Sequence, residues 1–456
     1  MTNHEKFNFK TFEDINTRIA ELGAKIRLQE DLSPLQRKVK IGALEAPNAV
    51  TILPMEGCDS EPDGSPSELV RRRYMRYAAG GAGLIWWEAC AVVPEGKANE
   101  LQMMLVKENI TAFEKLISEV NKTSSDIFGY RPIHILQLTH SGRYSRPAGH
   151  KPTPIIPQHD PILDPRVGIT DEYPICTDEY LESLVEKFVE AALLAKKAGF
   201  DGVDVKAVHR YLISELLASF TREGKYGGSF ENRSRLFLDI IRAIKQAVND
   251  DSFIISSRFN VFDAHPFPYG FGAGEENFMD FVPDEPLLLV DKMIEAGVTL
   301  LSNSAGNPYY IYPQVTRPFD TSSMGIPVPD EHPLISVARL FEFTRLIQQK
   351  AGDVPVIGSG YSWLRQFLPY AAAANLADGS CSMIGLGRMA FAYPDAPRDI
   401  FEKGRMEPSK CCIACSKCTQ IMRDHGKTGC PIRDAAVYAP LFRKYRAEAD
   451  MREKAK

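Results

Sequence analysis

From about residue 48 to 390 the chain repeats one pattern: apolar positions at helical spacing, a glycine, then a short apolar or β-branched run. The repeats are AAGGAGLIWWEA (78–89), KAGFDGVDVKAV (197–208), EAGVTLLSNSAG (295–306), KAGDVPVIGSG (350–360) and LADGSCSMIGLGR (376–388). AVTILPM (49–55), RPIHILQLTHSG (131–142) and SFIISSRFN (252–260) bring the predicted strands to eight. Helical spacing predicts helices over Ser67–Ala79, Ile110–Asn121, Asp178–Ala198, Glu231–Val248, Pro286–Ala296, Val337–Ala351 and Trp363–Ala374. The strands are continuous apolar runs, as in a parallel sheet covered by helices. Eightfold strand–helix alternation predicts an α/β fold, a (β/α)8 TIM barrel; a doubly wound open sheet is the competing arrangement. The predicted division is a helical lead-in over 1–46, the barrel over 47–400 and a short cysteine-rich extension over 401–456. Residues 261–284 and 306–332 are long Gly-, Pro- and aromatic-rich insertions after strands, expected to lie over the barrel mouth and contact substrate.

Composition narrows the class. The 456 residues are 44% hydrophobic and 25% charged, with a net charge of −5. That excludes collagen-like, disordered and small disulfide-scaffold proteins and gives no global attraction to nucleic acid or acidic lipid. Apolar runs are too short to span a membrane, and the first residues lack the apolar core of a signal peptide, so a cytoplasmic location is expected. Of nine cysteines, Cys58, Cys90, Cys176 and Cys381 are scattered, whereas Cys411, Cys412, Cys415, Cys418 and Cys430 fall together. Clustering of this kind points to metal in a reducing compartment. Cys412-x2-Cys415-x2-Cys418, then x11 and Cys430-Pro431, follows ferredoxin-type [4Fe–4S] ligation. A structural zinc site with four cysteine ligands is the alternative, and Cys411 competes with Cys412 for the first place.

In such a barrel the ends of the strands carry the chemistry. They hold Pro54, Met55 and Glu56; Ala89; Gln137 and His140; Lys206, His209 and Tyr211; Arg258; Asn303; Gly358 and Gly360; and Gly387 and Arg388. No carboxylate pair is present, against glycoside hydrolysis, and no G-x-S-x-G elbow, against serine hydrolysis. VIGSG and MIGLGR follow the last two strands, where barrels of this type bind phosphate, although tight turns alone would also use these glycines. No G-x-G-x-x-G follows a strand in a βαβ unit, so a built-in Rossmann domain is not expected. A lysine, an imidazole and a phenol at one barrel end can polarise a carbonyl and deliver a proton. His209 taken alone reads equally well as a structural histidine.

LPMEG (53–57), GLIWWEACAVVPEG (83–96), LQLTHSGRYS (136–145), HRYLISELL (209–217), YGGSFENRSR (226–235), SSRFN (256–260), GLGR (385–388) and the cysteine cluster occur in order from about 48 to 430. Together they resemble the old yellow enzyme superfamily, in its iron–sulfur branch of dienoyl-CoA reductase-like and bile-acid-type enoate reductases. The resemblance implies FMN at the barrel mouth: Pro54, Met55 and Glu56 along the ring, Ala89 near its C4 carbonyl, Gln137 at the pyrimidine edge and Arg258 by N1 and the C2 carbonyl. It places Gly360, Gly387 and Arg388 on the phosphate, makes Tyr211 the proton donor and His209 a ligand of the substrate carbonyl. Cys412, Cys415, Cys418 and Cys430 would hold the cluster; Cys-Ile-Ala-Cys matches the family's Cys-Ile-Gly-Cys and favours Cys412, while x2 before Cys418 replaces the commoner x3. Lys206 stands where many relatives place a first histidine, and Glu56 where they often place Thr, Cys or a small residue. The larger relatives carry a C-terminal FAD and NAD(P)H domain that this sequence is expected to lack, so the electron donor is either NAD(P)H itself or a partner protein. The expected activity is hydride transfer from reduced FMN to the β-carbon of an α,β-unsaturated carbonyl or enoyl small-molecule substrate, with Lys206 and His209 stabilising the oxyanion. An amine dehydrogenase of the trimethylamine type, an electron-transfer flavin and iron–sulfur subunit, and a zinc-bearing phosphate-binding barrel remain alternatives, and a homo-oligomer is a candidate assembly.

Overall fold

Each of the eight apolar runs contains a strand that is buried along its length, apart from partial exposure at one position. They are β1 (Val50–Ile52), β2 (Leu84–Ala91), β3 (Ile133–Thr139), β4 (Gly202–Val205), β5 (Ile254–Phe262), β6 (Leu300–Ala305), β7 (Val356–Gly358) and β8 (Met383–Leu386). This computed structural model describes residues 3–310, 318–322, 325–328 and 330–454. Every strand pairs in parallel with the next, and β8 returns to β1 through Ile384 beside Val50, closing the barrel. The open-sheet alternative is thereby excluded, and the fold is the expected (β/α)8 barrel.

A parallel neighbour can be reached only by a crossover, and the helices supply it. Their ends follow from local chemistry. Ser67, Thr177 and Ser229 accept hydrogen bonds from Val70, Tyr180 and Asn232 N–H at three helix starts. Gly199 and Gly297, both at positive φ, stop Asp178–Ala198 and Asp284–Ala296 in the left-handed conformation that glycine adopts without strain. Two helices depart from expectation. Ile110–Phe128 runs past Asn121 until Gly129 ends it. The segment expected as one helix over Trp363–Ala374 is a 3-10 turn, Tyr361–Phe367, then Leu368–Ala377, because Arg365 takes a positive φ of 50°.

The lead-in contains a helix, Phe12–Glu21, and a hairpin of Val39–Ile41 with Leu44–Ala46. The hairpin tip, Gly42, lies beside Thr299, just before β6 and therefore at the barrel end opposite the strand C-termini. After the barrel come Ala396–Lys403, Lys417–Arg423 and Ala435–Lys454. The last is tied to the barrel where Arg72 and Arg76 both donate to the buried carboxylate of Asp434, at 2.7 and 2.6 Å. No described helix is long and apolar enough to cross a membrane.

The outer face of the barrel buries one titratable group with a clear consequence. Trp87 stacks on Tyr74 at 3.9 Å and donates its indole N–H to Nδ1 of His134 at 3.0 Å, while Nε2 of His134 faces Asn121 Oδ1 at 2.9 Å. Nδ1 is thus an acceptor, a second proton has no place, and burial lowers the His134 pKa to about 4. In the unfolded chain it titrates near 6.5, so stability is full above that value and declines as pH falls toward 4. His134→Gln should lessen this decline: between pH 6.5 and 5 the native chain should lose about 2 kcal/mol more than the variant in denaturant titrations, at ~1.4 kcal/mol per pH unit. Equal slopes would contradict the assignment.

Candidate active site

The chain leaving β1 crosses the barrel mouth as Leu53–Gly57, and buried charge fixes it there. Gly57 N–H donates to Glu88 at 2.7 Å; Arg73 bridges Glu88 at 2.6 Å and Asp59 at 2.8 Å. A Cβ on Gly57 would lie 2.3 Å from the Arg73 guanidinium, so only glycine lets the turn pass so closely over the ion pair. The neighbouring Glu56 is thereby set over the mouth.

At the bottom of the site a carboxyl on β4 ties together three other strands, β2, β3 and β5. Asp204 on β4 accepts from Gln137 Nε2 at 2.6 Å, Trp86 Nε1 at 3.1 Å and the backbone N–H of Arg258 at 2.8 Å. Burial pushes its pKa up to about 7 against those donors. Because the Gln137 amide nitrogen turns to Asp204, its oxygen is left as the acceptor toward the cleft.

After β4 the backbone does something costly. His209 and Arg210 are consecutive non-glycine residues at φ 66° and 56°, a strain of ~1–3 kcal/mol each. Arg210 is fully buried and its guanidinium meets Asp263 at 2.9 Å and Asp160 at 3.4 Å; Asp160, also bonded to His265 at 2.9 Å, is held down to about 2. Those bonds hold the strained turn, and His209 and Tyr211 on either side of Arg210 both line the cleft.

The cleft is open to solvent and spans about 1270 Å³ of empty space, its solvent-open part included. Pro54, Met55, Glu56, Gln137 and Arg258 line it from β1, β3 and β5, Gly360, Gly387 and Arg388 from the turns after β7 and β8, and Lys206, His209 and Tyr211 from β4 and its loop. Ala89 does not line it: β2 is irregular between Trp87 and Cys90, and Ala89 is buried with its carbonyl taking the Gln102 amide at 3.3 Å. Gly360 sits at φ 97° against Leu340, where a Cβ would come within 2.9 Å.

Charge in the cleft is unevenly satisfied. Lys206 Nζ pairs with Glu56 Oε1 at 2.8 Å and lies 3.9 Å from the centre of the Tyr211 ring; Tyr211 O–H points to Glu56 Oε2 at 3.5 Å. Burial lowers the lysine pKa and, with the Glu56 charge, raises that of the phenol well above its usual value. Among the described residues, neither Arg258 nor Arg388 has a carboxylate within ion-pair distance. Arg258 Nε has no hydrogen-bond partner, and burial lowers this guanidinium to about 10. Arg388 covers only the ring of Phe319, at 4.3 Å. Three guanidinium groups, counting Arg423 from the extension, and two glycine turns facing one cleft fit an anionic, planar ligand with a phosphate.

The cysteines complete one wall. Cys412, Cys415, Cys418 and Cys430 line a single small cavity, and Cys418 lines the main cleft as well. Cys411 does not; its thiol faces the Glu407 carbonyl at 3.4 Å. Backbone N–H groups of Ala414 and Arg433 point at the sulfurs of Cys412 and Cys430, at 3.4 and 3.3 Å. Among the described residues no three His, Cys, Asp or Glu are gathered as around one metal ion, where tetrahedral thiolates would stand about 3.8 Å apart.

Other lining residues lay outside the sequence-based expectation. None of 263–284 lines the cleft. Pro308, Tyr309, Pro318 and Phe319 of the 306–332 insertion do; residues 311–317, 323, 324 and 329 of it lie outside the described residues. The extension adds Thr419, Met422, Arg423 and Thr428, with Arg423 donating to the Pro308 carbonyl at 2.9 Å and Thr428 N–H to that of Gly57 at 2.6 Å. The only linear cue to this was Cys418 itself, one residue ahead of Thr419.

The sequence model of the NADH:flavin oxidoreductase / NADH oxidase family matches residues 34–268, more than half of the chain. The chain belongs to that family. It is similar to an NADH oxidase of Thermoanaerobacter brockii, 32% identical over 83% of this chain and 52% of that protein. It is also similar to a cinnamate reductase of Clostridium sporogenes, 28% identical over 90% of this chain and 58% of the other. The chain thus spans about half the length of the curated relatives it matches. Among solved structures, a 2-naphthoyl-CoA reductase complex superposes with a TM-score of 0.69 at 22% identity, over 88% of this chain and 57% of that one, a likeness of fold. Arg388→Gln should leave thermal stability nearly unchanged yet weaken FMN retention 10- to 100-fold in dilution or dialysis, since a charged hydrogen bond contributes ~1.5–3 kcal/mol; unchanged retention would remove Arg388 from the phosphate site.

Proposed function

We propose that this flavin oxidoreductase is an ene-reductase that holds FMN across the barrel mouth and a [4Fe–4S] cluster against it. The observation that carries the flavin is the pair of uncompensated arginines with an acceptor-presenting Gln137 between them on the barrel wall. Arg388, Gly360 and Gly387 would hold the phosphate, Arg258 the N1 and C2-carbonyl edge, Gln137 an N–H of the pyrimidine edge, and Pro54, Met55 and Glu56 the ring. Bound and reduced, FMN supplies a hydride to the β-carbon of an electron-poor alkene.

The chain's own groups do the rest. His209 and the ammonium of Lys206, which keeps N–H donors beyond the one spent on Glu56, bind the activating carbonyl oxygen and stabilise the charge that develops there. Tyr211, buried and kept protonated, donates from Oη to the α-carbon. Tyr309, Phe319 and Met422 narrow the cleft and exclude water. Cys412, Cys415, Cys418 and Cys430 would ligate the cluster, with Cys418 between cluster and cleft. The likeness to a cinnamate reductase supports alkene reduction, and the names of relatives support NAD(P)H as the electron source; a donor protein acting through the cluster is the other route.

Tyr211→Phe should slow reoxidation of the reduced flavin by an enal or enone ~10²- to 10⁴-fold in anaerobic stopped flow. Flavin reduction by NAD(P)H or dithionite should stay within about threefold. Equal losses in both half-reactions, or none, would contradict Tyr211 as the proton donor. Reoxidation by no alkene but by a protein acceptor would instead mark an electron-transfer subunit.

A further inference from the structure

Glu56, in the turn after β1, and Lys206, just past the end of β4, are far apart in sequence and meet in space. One carboxylate bridges two groups: Oε1 takes the Lys206 ammonium at 2.8 Å and Oε2 the Tyr211 hydroxyl at 3.5 Å. The ammonium also rests 3.9 Å from the centre of the Tyr211 ring. We propose that Glu56 is a positioning residue for proton delivery: it clamps Lys206 beside the proton donor and cancels that cation's pull on the phenol, so that Tyr211 keeps its proton until an alkene is in place.

The physical case is one of charge next to an acid. A cation over a phenol ring stabilises phenolate, and in a cleft of low polarity a bare ammonium at this distance would make Tyr211 a stronger acid that loses its proton to solvent. A carboxylate beside Oη acts in the opposite sense and also neutralises the ammonium. The other titratable groups that face Tyr211 do not substitute for it. Tyr309 hydrogen-bonds to it from the loop after β6, Cys58 lies behind Glu56, and Tyr144 after β3 stands 6.2 Å away ring to ring. All three are neutral near pH 7. On the far side of Lys206, Arg258 and Asp204 have opposed effects on the lysine. Glu56 is therefore the charge that balances Lys206 at Tyr211. This rests on Tyr211 as the proton donor, but its electrostatic part can be read without any substrate.

The test is a phenolate absorbance titration of the FMN-loaded protein, with the Tyr211 step taken as the difference from Tyr211→Phe. Glu56→Gln should move that step down by at least one pH unit, Lys206→Met should move it up or beyond the titrated range, and Glu56→Gln with Lys206→Met should return it toward the native position. In the oxidative half-reaction with an enal, Glu56→Gln should gain an alkaline limb at the same midpoint. A step unmoved in Glu56→Gln, or moved the same way in all three variants, would overturn the proposal. Should Glu56→Gln not fold, the Lys206→Met shift decides alone, no shift overturning it. If the titration behaves as stated while no alkene reoxidises the flavin, the clamp stands and the ene-reductase assignment fails.

Discussion

Positive charge held at the barrel mouth without a counter-ion is the constraint on which the site depends. Most buried or half-buried cations of this chain are paired: Arg73 with Asp59 and Glu88, Arg143 with Glu215 and Asp164, Arg210 with Asp263 and Asp160, Lys206 with Glu56. Arg258, Arg388 and Arg423 in the cleft are not, nor elsewhere are Lys97, Arg146 and Arg365, among the described residues. Leaving a guanidinium desolvated and unpaired costs several kcal/mol, and a fold keeps such groups where a ligand supplies the missing anion. In the proposed function that anion is the flavin and its phosphate.

That charge is useful only if the frame around it does not collapse onto it. Asp204 could have swung to neutralise Arg258, but its two oxygens are occupied by Gln137, Trp86 and the Arg258 backbone. Arg73 anchors the turn that carries Glu56, and Arg210 anchors the strained turn that carries His209 and Tyr211. In each case a buried arginine paired to carboxylates fixes a loop whose side chains line the cleft above it. Rigid ion pairs underneath and uncompensated cations on top are what preorganisation requires.

The sequence made the barrel legible because each strand is a continuous apolar run between helices of 3.6 periodicity, which leaves only closed or open parallel sheets. It made strand-end residues such as Gln137, Arg258 and Arg388 legible for the same reason: position along a strand fixes the end of the barrel. Pairing across the barrel was not legible. Nothing linear says that Glu56, ahead of the first barrel helix, meets Lys206 after the fourth strand, or that Ala89, at an irregularity in β2, is left out of the cleft lining. The cysteine spacing singled out four residues that line one cavity, yet the docking of their segment over the barrel depends on Arg72 and Arg76 meeting Asp434 and on Thr428 meeting Gly57, contacts between residues more than 350 positions apart. The helix break at Arg365 was hidden because its side chain suits a helix; only its backbone does not.

The central claim is that the arginine-lined cleft and the cysteine cavity beside it are two cofactor sites of one chain. The most direct measurement is a count of what anaerobically prepared protein releases on denaturation: FMN by chromatography, and iron and acid-labile sulfide by colorimetry. The account predicts about one FMN with about four irons and four sulfides per chain. Protein that releases neither, and takes up neither when supplied with FMN, iron and sulfide, would contradict it.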